Sequence, residues 1–156
     1  MRRRDREVTD TEKIKAVMRS CKICRIGLID DGEVYIVPMN FGAVWDKERC
    51  TLYFHSACEG RKLELIRKKA RAGFEMDTGY ELVVADSACR YSARYCSITG
   101  NGKIKIIDDP KEKLLGLHTI MENCVGGGKW EFDSKAVSRV CVIKLDVTNM
   151  SCKSND

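Results

Sequence analysis

The run V-Y-I-V-P-M-N-F-G-A-V-W spans Val34 to Trp45. Its β-branched and aromatic residues predict a strand. Just upstream, Cys24 to Ile29 reads as another strand. Asp30-Asp31-Gly32 between the two supplies an Asp-Gly turn, so together they predict a β-hairpin. Pro38 falls inside the second run. Proline cannot donate to a ladder, so it marks a sheet edge, a bulge or a place where something else approaches.

The rest of the chain extends this antiparallel theme. Thr9-Asp10-Thr11-Glu12 has the Thr-x-x-Glu form of a capping box, and Ile14, Val17, Met18 and Cys21 follow at helical spacing. A first helix over about 10–20 is expected. Thr51 to His55 predicts a third strand and Gly60 to Lys69 a short helix with Leu63 and Ile66 turned inward. Ala72 to Met76 reads as a further strand, which Glu81 to Ala85 continues after the turn at Thr78-Gly79. Tyr91 to Ile107 is a long strand-like stretch interrupted at Gly100-Asn101-Gly102, by a bulge or a hairpin. Asp109-Pro110 opens a second long helix, with Asp as N-cap and Pro at the first position. Leu114, Leu117, His118 and Met121 give that helix an apolar face. Gly126-Gly127-Gly128 ends it in a flexible loop, and Val140 to Thr148 is the last strand. Hairpins dominate and strands do not alternate regularly with helices. That order predicts a mainly β fold, a β-barrel with peripheral helices, as one domain over 1–156 with loose tails at 1–8 and 151–156.

Composition narrows the classes. No apolar run approaches the length that spans a bilayer, so no membrane partner is expected. The N-terminal stretch Met-Arg-Arg-Arg-Asp-Arg-Glu lacks the apolar segment of a secretory signal, and a cytoplasmic location is expected. The formal net charge of +5 is modest, and the cations are not all in one place: Arg2–Arg6 form one cluster and Arg61–Arg71 another. Nine cysteines, an odd number, in a chain of 156 residues read as reduced thiols rather than a disulfide framework. Cys21-Lys-Ile-Cys24 has no second ligand pair, so no metal site is expected. Gly100-Asn101-Gly102 lacks the third glycine of a dinucleotide fingerprint. Gly126-Gly127-Gly128-Lys129 lacks the frame of a P-loop.

The chemistry concentrates at L-Y-F-H-S-A-C-E-G-R-K, Leu52 to Lys62. On a strand, Tyr53 and His55 face one side while Leu52, Phe54 and Ser56 face the other. Ser56-x-x-Glu59 has the form of a second capping box, which places a helix N-terminus just past the strand. Such an end attracts anions, Gly60 lets the backbone come close, Arg61 can fork onto two phosphate oxygens and Lys62 adds a point charge. The stretch suits a phosphomonoester. A plain helix cap with solvent-facing cations is the competing reading from composition alone.

The chain resembles the pyridoxamine-phosphate-oxidase-like flavoproteins, and within them the group related to nitroimidazole resistance proteins. The resemblance begins with Arg3-Arg4-Asp5-Arg6-Glu7. It runs through Cys24-Arg25-Ile26-Gly27-Leu28, Tyr35-Ile36-Val37-Pro38-Met39-Asn40-Phe41-Gly42 and Leu52–Ala57 with Gly60-Arg61-Lys62, and continues at Tyr95-Cys96-Ser97-Ile98 and Gly100. What it implies is a split β-barrel homodimer with FMN at the subunit interface. Ser56, Arg61 and Lys62 would hold the phosphate. Val37, Pro38, Met39 and Asn40 would line the isoalloxazine ring. Tyr53 and His55 would border the ring or the substrate space, Tyr95 and Ser97 would reach the flavin from a neighbouring strand, and Trp130 would cover the ring. Cys58 stands where members of the group often carry proline.

The function so implied is an FMN-dependent oxidoreductase that passes electrons from a transiently bound NAD(P)H to a small acceptor, a nitroaromatic in the nitroimidazole-resistance reading. His55 would be the catalytic proton or hydrogen-bond donor, since an unperturbed imidazole titrates near neutrality. Three alternatives stay open. One is a relative using haem or a deazaflavin in the same barrel, with His55 or His118 as an axial ligand to the haem. Another is a non-enzymatic flavin-binding or redox-sensing module. The last is a nucleic-acid binder through Arg2–Arg6, which no aromatic-rich strand encourages.

Overall fold

The computed structural model describes residues 3–155; Met1, Arg2 and Asp156 lie outside it, and with them one end of the expected basic cluster and of each expected tail. The elements run β1 (Glu7–Val8), α1 (Thr11–Ser20), β2 (Cys24–Asp30), β3 (Glu33–Met39), β4 (Phe41–Asp46), β5 (Arg49–Ala57) and α2 (Arg61–Lys68). They continue through β6 (Arg71–Val83), β7 (Ser92–Ile107), α3 (Pro110–Val125), α4 (Ser134–Ser138) and β8 (Val140–Asn155).

The stretch 34–45 closes the sheet. The strands pair in the order β3-β2-β6-β7-β8-β5-β4, with β1 on the far part of β8. β3 and β4 therefore stand at opposite ends of the path, yet Asn40 alone joins them. Consecutive Cα atoms are about 3.8 Å apart, so the sheet has to curl until its two ends meet. Each step along the path is antiparallel, and the six reversals return β4 to the direction of β3. Val34 to Trp45 is thus one run in direction, as expected, but not one strand in pairing: its first half pairs with β2 and its second half with β5. Such a strand turns the corner of a split β-barrel. Pro38 sits on β3, which pairs only with β2, so the proline marks an edge.

Gly42 lies just past the corner. A Cβ there would stand 2.4 Å from the backbone of Thr119, so only glycine lets α3 pack this closely on β4. The Asn123 side-chain amide then fixes the end of α3 by donating to the carbonyls of Cys21 at 3.2 Å and Phe41 at 3.1 Å.

Alternation along the strands makes two cores. Ile26, Leu28, Phe41, Leu52, Phe54 and Leu145 fill the barrel, to which α1 adds Met18 and α2 adds Leu63. A smaller cluster of Tyr53, Ile107, Leu117, Ile120 and Val142 lies outside the barrel, beneath α3. Cys21 and Cys24 are buried in the inner core as small hydrophobes, and all nine cysteines are free thiols.

Several expectations are corrected. Ser151–Asn155 is not a loose tail but the end of β8: Ser97, Cys96 and Tyr95 pair with Lys153, Ser154 and Asn155, and Glu7 and Val8 flank the other side. Backbone pairing on both edges and the buried Cys152 hold it, whatever its polarity. Arg4–Arg6 likewise form a 3-10 turn leading into β1. Residues 71–83 do form one strand, as the expected continuation past Thr78-Gly79 implies, with a register shift between Thr78 and Glu81. Of the two forms expected at Gly100–Gly102, the structure has the bulge, inside β7, where a Cβ on Gly102 would meet the Asp146 carbonyl. Asp10, not Thr9, caps α1, accepting from the N–H groups of Glu12 at 2.8 Å and Lys13 at 3.2 Å. His118 is exposed rather than core, packed edge-on to Phe132 with ring centroids 4.7 Å apart.

Candidate functional site

β5 carries the expected residues to its end. Inward alternation buries Leu52 and Phe54, and outward alternation puts Tyr53 beneath α3. The Tyr53 ring packs so close to Gly116 that a Cβ there would stand 2.8 Å away. Its hydroxyl donates to Glu112 Oε1 at 3.3 Å, and the Lys144 ammonium donates to the same oxygen at 2.7 Å. The Lys144 hydrogen bond holds the Glu112 carboxyl below its usual range, Glu112 in turn raises Lys144, and burial raises the Tyr53 hydroxyl. Tyr53 is therefore a protonated, committed group that ties α3 to the sheet. It does not border an open space.

His55, next on that face, is exposed and opens onto a cavity of about 220 Å³. Leu117, Ile120, Phe132, Val137 and Val140 line it, and His55 is its one ionisable side chain. The wall opposite β5 comes from α3 and from the segment through α4, an element that sequence reasoning missed because five residues are too short for a periodic signal. Trp130 is not part of this wall; its ring folds back against Gly128, and Phe132 is the aromatic residue in the lining.

The turn after β5 differs from the expected capping box. Ser56 is still in the strand and buried, and its hydroxyl donates to the Ala57 carbonyl at 2.7 Å. The N-cap of α2 is Gly60, at φ +122°, with no side-chain cap. The first N–H groups of a helix have no intrahelical acceptor, so the start of α2 keeps free donors beside Arg61 and Lys62. Cys58 pins the turn to the start of β8 by a 3.3 Å hydrogen bond to the Arg139 carbonyl. Arg61 itself reaches the β2–β3 turn: Nε donates to Asp30 Oδ2 at 2.6 Å, and the guanidinium lies over the Tyr35 ring, 5.2 Å from its centroid.

That contact links the turn to β3. Val37 and Met39 follow Tyr35 on the same half-buried face of β3. Pro38 is exposed opposite Arg25, which bonds Glu75 at 2.9 Å and Asp77 at 2.6 Å. The Asn40 amide donates to the Lys22 carbonyl. Tyr95 and Ser97 do not join the group. His55 is in line with Val142 and Ile107, while Ser97 lies ten residues from Ile107 along β7, roughly 33 Å at a strand's rise. No small ligand touches His55 and Ser97 of one chain at once.

The larger cavity, about 430 Å³, lies on the other flank of α3, against α1 and Trp45. Three cations line it, Lys15, Arg19 and Lys22, and two of them are engaged with the chain itself: Lys15 with Glu12 and the Trp45 ring, Lys22 with the Asn123 carbonyl at the end of α3. Among the described residues, no group of three or more His, Cys, Asp or Glu could hold a metal ion, and no helix is long and apolar enough to cross a membrane.

This architecture is shared with known structures. The chain is similar to a proposed 5-nitroimidazole antibiotic resistance protein from Bacteroides thetaiotaomicron, with 30% identity, a TM-score of 0.80, and 96% of this chain and 90% of that one covered. It is also similar to the flavocytochrome Anf3 from Azotobacter vinelandii, at 20% identity and a TM-score of 0.81 over 100% and 72% of the two chains. A FAD and heme binding protein from Mycobacterium smegmatis gives 22% and 0.83 over 97% and 74%. The last two likenesses carry the fold alone. No curated protein matches the chain. Residues 10–154 match the pyridoxamine 5'-phosphate oxidase family, and the chain belongs to it.

Proposed function

We propose that this protein is a cytoplasmic FMN-binding oxidoreductase that works as a homodimer and reduces small aromatic acceptors, nitroaromatics among them. The observation that carries the reading is the uncapped start of α2, with Gly60, Arg61 and Lys62 at the end of the strand that presents His55. Free N–H groups, a helix dipole and two cations fit a phosphomonoester. The 220 Å³ cavity is smaller than the roughly 300–1,000 Å³ of sites that enclose a drug-sized ligand. A flavin would therefore lie along the surface and be covered by a second copy. The outer face of β2 and β3 suits that copy: Ile29 and Val34 pair across it, both exposed, and the exposed Ile36 stands beside the bare Gly27. A second copy is also the route by which Tyr95 and Ser97 would reach a flavin.

FMN, when bound, supplies two-electron transfer between a reduced nicotinamide and the acceptor. The chain's part is to hold the phosphate at Arg61 and Lys62 and to exclude water from the apolar cavity. His55 donates a hydrogen bond or proton to the acceptor. Tyr53 does not compete for that role, because its hydroxyl is held by Glu112. Haem is the second reading, favoured by one observation: His55 lines the cavity, and His118 packs on Phe132 of its wall.

The absorption spectrum of the purified protein, with Arg61→Ala/Lys62→Ala beside it, tests the proposal. Flavin bands present in the parent and lost in the variant support it. A protein that neither carries nor takes up FMN sinks it, and a sharp haem band selects the second reading. Where flavin is bound, NAD(P)H-dependent nitroaromatic reduction that is unchanged in His55→Ala removes His55 from catalysis. Equilibrium sedimentation gives the assembly state.

A further inference from the structure

Arg61 is held on two sides. Asp30 Oδ2 takes the inner edge of the guanidinium, accepting from Nε at 2.6 Å with Nη2 in ion-pair contact, while the Tyr35 ring supports its face. The Asp30 side chain is 15% exposed and that of Arg61 is 62% exposed, so the carboxylate is sunk in the protein and the guanidinium points outward from it. An arginine presents five N–H donors in a rigid fork. With the inner edge engaged, both hydrogens of Nη1 and the second of Nη2 remain, on the edge turned away from Asp30. Arg61 is the first residue of α2, and Lys62 follows it in the same first turn.

We infer that Asp30 and Tyr35 are positioning residues that hold Arg61 ready for a phosphate group and so set the preference for a phosphorylated flavin over its unphosphorylated form. The inference rests on the flavin-phosphate reading above. A long side chain that is free in solution loses rotamer freedom when it binds; one already fixed by folding does not, and its remaining donors meet the ligand aligned. Because the Asp30–Arg61 pair is neutral in sum, Lys62 and the helix start supply the attraction and Arg61 supplies the geometry. The competing assignment is a tether between α2 and the β2–β3 turn, which would affect every flavin alike.

The test is fluorescence titration of the apoprotein with FMN and with riboflavin, which shares the ring and lacks the phosphate. Arg61→Ala should weaken FMN by about tenfold, the size of one charge-assisted contact, and leave riboflavin within about twofold. Asp30→Ala should weaken FMN by several-fold and also spare riboflavin, with Asp30→Asn in between because its amide oxygen still accepts. Tyr35→Leu should behave like Asp30→Ala, and Tyr35→Phe, which keeps the ring, like the parent. Equal weakening of both flavins in Asp30→Ala and Asp30→Asn makes Asp30 a tether and overturns the inference. FMN binding that is unchanged or tighter in Asp30→Ala overturns it too, the second result making Asp30 a competitor for Arg61. If Arg61→Ala binds FMN like the parent, the phosphate reading itself fails. If Arg61→Ala is weakened and the Asp30 variants are not, only the inference fails.

Discussion

The barrel interior and the layer beneath α3 share the same strands, and β5 contributes alternate residues to both. Inside, Leu52 and Phe54 are sealed among aliphatic side chains and thiols. Outside, Tyr53 enters a polar network with Glu112 and Lys144, and His55 opens onto a cavity. The inner layer is closed by one curled sheet together with α1 and α2. The outer layer is closed by α3 and by the short α4 segment, and it is there that the cavity beside His55 lies. A sealed core and an open cavity thus share the two faces of one strand.

The sharpest way to break this division is to cut each face. Phe54→Ala should cost about 3–5 kcal/mol, since the surrounding barrel cannot collapse into the void. Ile120→Ala, beside the existing cavity, should cost less, near 2 kcal/mol. Urea denaturation gives both values, and equal losses would erase the distinction. Next in size is the seam between the layers. Gly42→Ala drives a methyl into the backbone of α3 and should cost about 1–3 kcal/mol. Gly127→Ala, where nothing lies within 4 Å, should be near neutral. A harmless Gly42→Ala would mean that α3 rides loosely on β4.

A smaller effect distinguishes the layers by pH. The Glu112 carboxyl lies below its ordinary 4.5, so its contribution is complete above that value and is lost as pH falls through the lower folded value. Lys144 lies above its ordinary 10.5, so its contribution is complete below that value and is lost as pH rises through the higher folded one. Glu112→Gln should lower stability by about 1 kcal/mol at neutral pH and flatten the acid limb of a Tm-versus-pH curve. Parallel acid limbs for parent and variant would remove Glu112 from the network. The smallest test leaves stability untouched. Burial pushes the thiols of Cys21 and Cys50 up to about 12 and that of Cys152 to about 11, whereas Cys58 and Cys89 are exposed. An aromatic disulfide reagent should therefore modify Cys58 and Cys89 first and the inner thiols only on unfolding. Fast reaction at Cys21 or Cys24 would show that the barrel opens.

Much of this was legible in the sequence, for local reasons. The Asp-Gly turn, the Asp109-Pro110 start of α3 and the alternation of β5 are each set by neighbours along the chain. What escaped was set at a distance. Residues 34–45 announce a strand, but no local pattern says that its halves take different partners. Ser56-x-x-Glu59 has the letters of a cap, yet pairing with β8 keeps Ser56 in the strand through Ala57. Ser151–Asn155 looks loose because backbone bonds to two strands leave no mark in composition. Arg61 stands out in the sequence as a cation beside a helix start, but Asp30 and Tyr35, which hold it, lie about thirty residues upstream on the β2–β3 hairpin.

The place of β8 in the sheet has a consequence for how the protein is made. It separates the run β3-β2-β6-β7 from the pair β5-β4. A ribosome that has delivered every residue before Val140 therefore holds two open sheets with bare edges at β5 and β7, and only the arrival of Val140–Asn155 welds them. Until then the nascent chain exposes the edges that favour aggregation. Its yield in a cell should depend on chaperone capacity at that interval more than on the stability of the finished barrel.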